Sequence, residues 1–112
     1  MIISYTTVSA GRWFELDLIE QLANIGCDIE RTIKWRDKGR HEDSLQAFYR
    51  ALELIDLTIA DPKNRKRLKE IVIARELLVD YFVYDNVYQS TDKQWQDYFY
   101  AFNYAVAIRR GK

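Results

Sequence analysis

The chain has one cysteine, Cys27, one histidine, His41, and one proline, Pro62. A single cysteine closes no internal disulfide and cannot complete a four-ligand zinc site. A single histidine removes the two-histidine metal pairs, and any Ser-His-Asp arrangement would have to use His41. Four glycines and one proline exclude collagen-like and low-complexity chains. There is no Gly-rich phosphate loop and no Glu-x-x-His pair of the di-iron type. No metal and no cofactor is expected. An excess of one charge is lacking too: 17 basic residues face 17 acidic ones. The field of the whole molecule therefore gives no reason for indiscriminate binding to nucleic acid or membrane. No run approaches the roughly 20 apolar residues of a membrane span. The opening Met1-Ile2-Ile3-Ser4-Tyr5 has neither the basic nor the apolar region of a leader. The expectation is a cytoplasmic protein with no membrane partner.

What is present is a core-forming composition. Hydrophobic residues make up 48% of 112 positions, enough for one domain over 1–112 without covalent staples. Turn signals at Lys38-Gly39-Arg40, at Asp61-Pro62 and from Asp85-Asn86 to Asp92 leave four segments of helical period, about 11–38, 41–60, 62–84 and 91–110. In the first, Phe14, Leu18, Leu22, Ile25, Ile29 and Ile33 form one stripe. Gly26 interrupts it at a cost of about 1 kcal/mol relative to alanine, which a close helix crossing would justify. Gly39 stands where a left-handed C-terminal residue is wanted.

Leu45, Phe48, Leu52, Ile55 and Ile59 stripe the second segment. The third opens with Asp61 as N-cap and Pro62 at the first helical position. Its apolar residues form one face with Leu68, Ile71, Leu78 and Phe82 and another with Ile73, Leu77 and Tyr84. In the fourth, Thr91 and Gln94 have capping-box spacing, and Trp95, Tyr98, Phe99, Phe102, Ala105 and Val106 form the core face. No segment alternates as a strand would. Short connections make sequential helices antiparallel, so the fold expected is all-α, an up-down four-helix bundle.

Gly39-Arg40-His41-Glu42-Asp43-Ser44-Leu45-Gln46-Ala47-Phe48-Tyr49-Arg50-Ala51-Leu52-Glu53-Leu54 resembles the second helix of a tetratricopeptide repeat, with the glycine turn, Ser44, Phe48 and Ala51 in that repeat's places. The match does not recur along the chain. More of the chain resembles the HEPN superfamily: a long first helix, a Gly-centred turn, an Ala-Phe-Tyr-Arg-Ala-Leu-Glu helix and two further helices. That resemblance implies a small, usually dimeric four-helix bundle that partners a minimal nucleotidyltransferase or binds nucleotide or RNA. Ribonuclease members carry an arginine followed at short spacing by a histidine near the start of the last long helix. Here that helix holds no histidine. Arg36 and His41 have the spacing but flank the first hairpin.

Three features are candidates for function. Arg36 and His41 are the candidate pair for a metal-independent ribonuclease, His41 as general base and Arg36 stabilising phosphoryl charge. Lys63, Arg65, Lys66, Arg67 and Lys69 crowd a helix start, where positive charge opposes the helix dipole. With Arg12, Arg109, Arg110 and Lys112 they would make one basic pole able to bind an anion, unless Glu15, Asp56, Asp61 and Glu70 neutralise it. Last, residues 95–104 carry six aromatics, more than one stripe buries. Ile73, Leu77, Tyr84, Tyr100, Tyr104 and Ile108 are left needing cover, which suits a protein interface. Glu15 with Asp17 and Glu42 with Asp43 read as ordinary surface charge, and Cys27 as a small buried hydrophobe. The composite expectation is a non-catalytic binding protein and homodimer. The rivals are the ribonuclease and a purely structural adaptor.

Overall fold

A computed structural model describes residues 10–111. The leader reading at residues 1–5 and the contribution of Lys112 to a basic pole lie outside the described residues. Within them all regular structure is helical: α1 (Ala10–Phe14), α2 (Leu18–Asp37), α3 (His41–Ala60), a 3-10 segment (Pro62–Arg67), α4 (Leu68–Phe82) and α5 (Asp92–Gly111).

The single helix expected over 11–38 is two helices. Asp17 is the reason: its carboxylate accepts from the Glu20 amide at 2.9 Å, and the Glu20 side chain accepts from the Asp17 amide. This reciprocal capping starts a new helix at Leu18. The break lets Trp13 turn its indole to Thr58 on α3, with a 3.0 Å hydrogen bond. Trp13 is therefore buried, while Phe14, expected on the stripe, lies at the surface.

Gly39 adopts φ +77° and ends the α2–α3 turn, as its position suggested. Beyond it the stripe on α3 is rotated from the one expected. Ser44, Phe48, Ala51, Ile55 and Thr58 are buried, and Leu45 is exposed. Small residues decide this, because they let α3 approach α2: the Ser44 hydroxyl donates to the Thr32 carbonyl at 2.9 Å.

The helix expected over 62–84 also divides. Asp61 caps it as anticipated, accepting from the Lys63 amide, but the first turns wind as 3-10. The Asn64 amide is turned inward there, donating to Gln21 Oε1 at 2.9 Å and to the Thr58 carbonyl at 3.0 Å. The end comes at Phe82, because the buried Asp80 carboxylate accepts from the amides of Val87 and Tyr88 and folds the chain back. Thr91 and Gln94 form the expected capping box at the start of α5.

Ile25, Ile29, Ile33, Phe48, Ile55, Ile71, Leu78, Trp95 and Phe99 belong to one continuous core. Paired contacts show how the helices meet. Gln21 of α2 reaches Asp61 just beyond α3, while Thr32 meets Ser44. Asp17 before α2 pairs with Arg109 of α5, while Arg36 pairs with Asp92. Between α3 and α4, Asp56 pairs with Arg75, and the rings of Phe48 and Phe82 lie 5.0 Å apart. Gly26 makes the close crossing proposed for it, directly against Phe99.

Candidate functional site

α4 packs on α3, and α5 packs on α2, but the backbones of α4 and α5 seldom approach each other. Two polar ties join them. The Tyr98 hydroxyl donates to Glu70 Oε2 at 2.8 Å, and the Tyr81 hydroxyl donates to Asp92. Between the ties runs a groove of about 480 Å³, walled by Ile73, Ala74, Leu77, Trp95 and Tyr98, with Glu70, Ser90 and Gln94 around it. Its size is that of a ligand or side-chain cluster.

Trp95 is buried, yet its indole Nε1 has no partner, the one such sealed side-chain atom among the described residues. An unpaired buried donor costs about 1–3 kcal/mol. Tyr98 is pushed well above its ordinary pKa, first by burial and then by its bond to Glu70. Glu70 is held low: burial works against ionisation, but Arg67 and Tyr98 outweigh it.

The six residues expected at an interface do not share one surface. Ile73 and Leu77 line the α4–α5 groove. Tyr100 lines a different one, on the α2 side, with Gly26, Cys27 and Asn103. It stacks on Tyr104 with ring centroids 5.9 Å apart. Tyr84 and Ile108 are exposed. Cys27, expected to be buried, is exposed. Gly26 takes the contact with Phe99, and the next residue on the helix turns outward.

Arg36 is engaged elsewhere than at His41. Its Nη1 donates to Asp92 at 3.1 Å, its Nη2 donates to Asp92 and Asp37, and its Nε donates to Asp37. The guanidinium is held above its ordinary pKa by the Asp92 bond, against partial burial. Asp92 is correspondingly lowered, first by Arg36. His41 is exposed at the first turn of α3, with no hydrogen bond or ion pair to Arg36 among the described residues.

Much of the basic pole is internally paired. Lys63 bonds Asp61 and donates to the Phe14 carbonyl, Arg67 pairs with Glu70 and Arg109 with Asp17. Asp61 is held below the usual carboxylate range: burial raises it, and Lys63 together with Gln21 outweighs burial. Asp56, one of the expected neutralisers, serves Arg75 instead. Arg65, Lys66, Lys69 and Arg110 remain exposed without an ion pair among the described residues.

Sequence reading missed two features. One is the buried network of Trp13, Gln21, Thr58, Asp61 and Asn64; Gln21 and Asn64 gave no periodic signal. The other is a polar groove between α2 and α3 lined by Asp28, Arg31, Trp35, Asp43, Gln46, Ala47, Tyr49 and Arg50. Its residues recur at helical spacing on two helices, but as polar positions they read as solvated faces. No group of three His, Cys, Asp or Glu side chains gathers as a metal would need among the described residues. No helix there is long and apolar enough to cross a membrane.

No family model, curated protein or solved structure matches the chain.

Proposed function

We propose that this chain is a non-catalytic helical binding protein that works as a homodimer through the α4–α5 face. The observation that carries the reading is the apolar groove between those helices, with Ile73 and Leu77 on its wall. The occupant is the same face of a second copy. Val72 and Ile73 present an exposed apolar ridge on α4 beside the groove. A two-fold contact would set each copy's ridge against the other's groove. A net charge of zero opposes no such approach. The long helices α2, α3, α4 and α5 are read as an antiparallel up-down four-helix bundle, with α1 as an appendage. The end-to-end pairings of α2 with α3 and with α5 support this reading.

The HEPN-like resemblance extends the proposal to a partner, a minimal nucleotidyltransferase or RNA, met in the cytoplasm, where a lone thiol stays reduced. Arg65, Lys66, Lys69 and Arg110 are the cations left over for phosphate contacts. The ribonuclease alternative is less favoured, because Arg36 is committed to Asp92 and Asp37.

Small-angle scattering against concentration tests the dimer. A forward-scattering mass that rises to two chains supports it. A mass of one chain at every concentration contradicts it.

A further inference from the structure

A recess of about 420 Å³ lies at the corner where α3 gives way to the 3-10 segment, apart from the α4–α5 groove. Its walls are Ile59, Ala60, Asp61, Pro62, Arg65 and Leu68. Asp61 and Pro62 end α3 and start the next element, so Ile59 of the first and Leu68 of the second come to line one recess. Ala60, Pro62 and Leu68 are exposed, and Ile59 is half-buried.

The charges around this recess do not cancel. Residues 61–70 hold five cations, Lys63, Arg65, Lys66, Arg67 and Lys69, and two anions, Asp61 and Glu70. Lys63 is bound to Asp61, and Arg67 to Glu70. Arg65, Lys66 and Lys69 are left over, exposed and without an ion pair among the described residues. Asp61 is the one acid in the recess wall. It is only 4% exposed, and its carboxylate is engaged by the Lys63 ammonium, the Lys63 amide and the Gln21 side chain. One turn earlier on α3, Asp56 is committed to Arg75. Uncompensated positive charge therefore stands beside an apolar recess.

Nucleic acid and acidic protein could both use such charge, and the recess tells them apart. Unpaired bases need a flat aromatic surface to stack on. None of the six wall residues is aromatic. Ile59, Pro62 and Leu68 instead offer aliphatic surface, which receives an aliphatic side chain by burial alone. At the rim, an arginine guanidinium matches a carboxylate with two parallel hydrogen bonds.

We infer that the recess at the α3–α4 corner binds an acidic segment of a partner protein, with one aliphatic side chain of that segment seated between Ile59, Pro62 and Leu68 and its carboxylates held by Arg65, Lys66 and Lys69. The inference rests on the reading of this chain as a binding protein, and it gives these cations to carboxylates instead of phosphates. The recess selects the anchoring side chain, and the cations steer the approach and set the salt dependence.

The test is fluorescence anisotropy of the full chain with a labelled peptide in which three glutamates flank a central leucine on each side. Serine in place of that leucine should weaken binding by roughly tenfold, the lower end of what burial of a leucine side chain supplies. Arg65→Gln with Lys69→Gln, both at exposed side chains, should weaken binding by roughly fivefold at low salt and flatten its salt dependence. Leu68→Ser should bring the leucine and serine peptides to nearly equal affinity, with the melting curve confirming the fold. Lys38→Gln, at the other end of α3, should leave binding unchanged.

Four results would overturn the inference: no binding of the leucine peptide at millimolar concentration, equal affinity for the leucine and serine peptides, a single-stranded RNA hexamer bound as tightly as the leucine peptide, or indifference to the double substitution at Arg65 and Lys69. Ile73→Glu, on the separate α4–α5 face, should leave peptide binding intact, so failure of the dimer and failure of this site can be told apart.

Discussion

Gly26 on α2 lies against Phe99 on α5 with no room for a methyl group: a Cβ on the glycine would fall 2.7 Å from the phenylalanine Cβ. The atom in the way is close to the α5 backbone, so it cannot swing aside as a flexible side-chain tip would. Two effects then compete in Gly26→Ala. Helix propensity favours the alanine by about 1 kcal/mol. Overpacking of a closed contact costs about 1–3 kcal/mol. With a stiff neighbour the second prevails, and urea unfolding should show a net loss of about 1–2 kcal/mol. A more stable variant would mean that α2 and α5 separate at no cost.

The Arg36–Asp92 tie joins the end of α2 to the start of α5, and Tyr81 adds a hydrogen bond from α4. Asp92→Asn should cost about 1 kcal/mol at neutral pH, a modest value because both side chains are partly solvated. The sign of the pH dependence follows from the depressed Asp92 pKa. A carboxylate lowered by folding contributes its stability above the unfolded value of about 3.9 and loses it as pH falls through the folded value. Wild type and Asp92→Asn should therefore differ at neutral pH and converge as the pH falls below the usual carboxylate range. Curves that run parallel to pH 2 would show that Asp92 adds nothing through its charge.

Gln21 is fully buried, donates to the Trp13 carbonyl and to Asp61, and accepts from Asn64. Replacing it with methionine keeps much of its volume and removes one buried hydrogen bond from each of Trp13, Asp61 and Asn64. Each such loss costs about 1–3 kcal/mol, so the expected loss is about 3 kcal/mol, read from thermal or denaturant unfolding. A loss below about 0.5 kcal/mol would show that water replaces the amide freely.

How much of this was legible in the sequence differed by element. Local chemistry read well: Gly39 at positive φ, Asp61 as cap, Thr91 with Gln94, and Gly26 at a crossing depend on a few adjacent residues. The breaks inside two long segments did not. Asp17 with Glu20 has capping-box spacing too, but the apolar stripe ran through it from Phe14 to Leu18. The Asp17–Glu20 cap makes the break, and the Trp13–Thr58 contact it permits lies between residues distant in sequence, which periodicity does not read. The α3 face was misjudged for a related reason: periodicity counts large apolar residues, whereas packing buried the small Ser44 against Thr32 of α2, Ala51 in the core and Thr58 against Trp13 of α1. Among the candidate sites, Ile73 and Leu77 were found because a surplus apolar stripe is a periodic signal. The α2–α3 groove was not, because Asp28 and Arg50 look like surface charge until two helices bring them together.

Arg36 and His41 bear on the catalytic alternative. With Arg36 held by two aspartates, purified protein should not cleave single-stranded RNA in the presence of a metal chelator. His41→Ala should fold and melt as wild type does, since His41 is exposed at a helix start. Cleavage by wild type that disappears in His41→Ala would show the non-catalytic reading to be wrong.

The central claim is that the α4–α5 face is closed by a second copy, and sedimentation equilibrium tests it most directly. At micromolar concentration wild type should sediment at about twice 13.4 kDa. Ile73→Glu, which puts an unpaired charge on the groove wall, should sediment as one chain while keeping the helical spectrum of wild type. A wild type that remains a single chain up to millimolar concentration, or an Ile73→Glu variant that still sediments as two, would contradict the account.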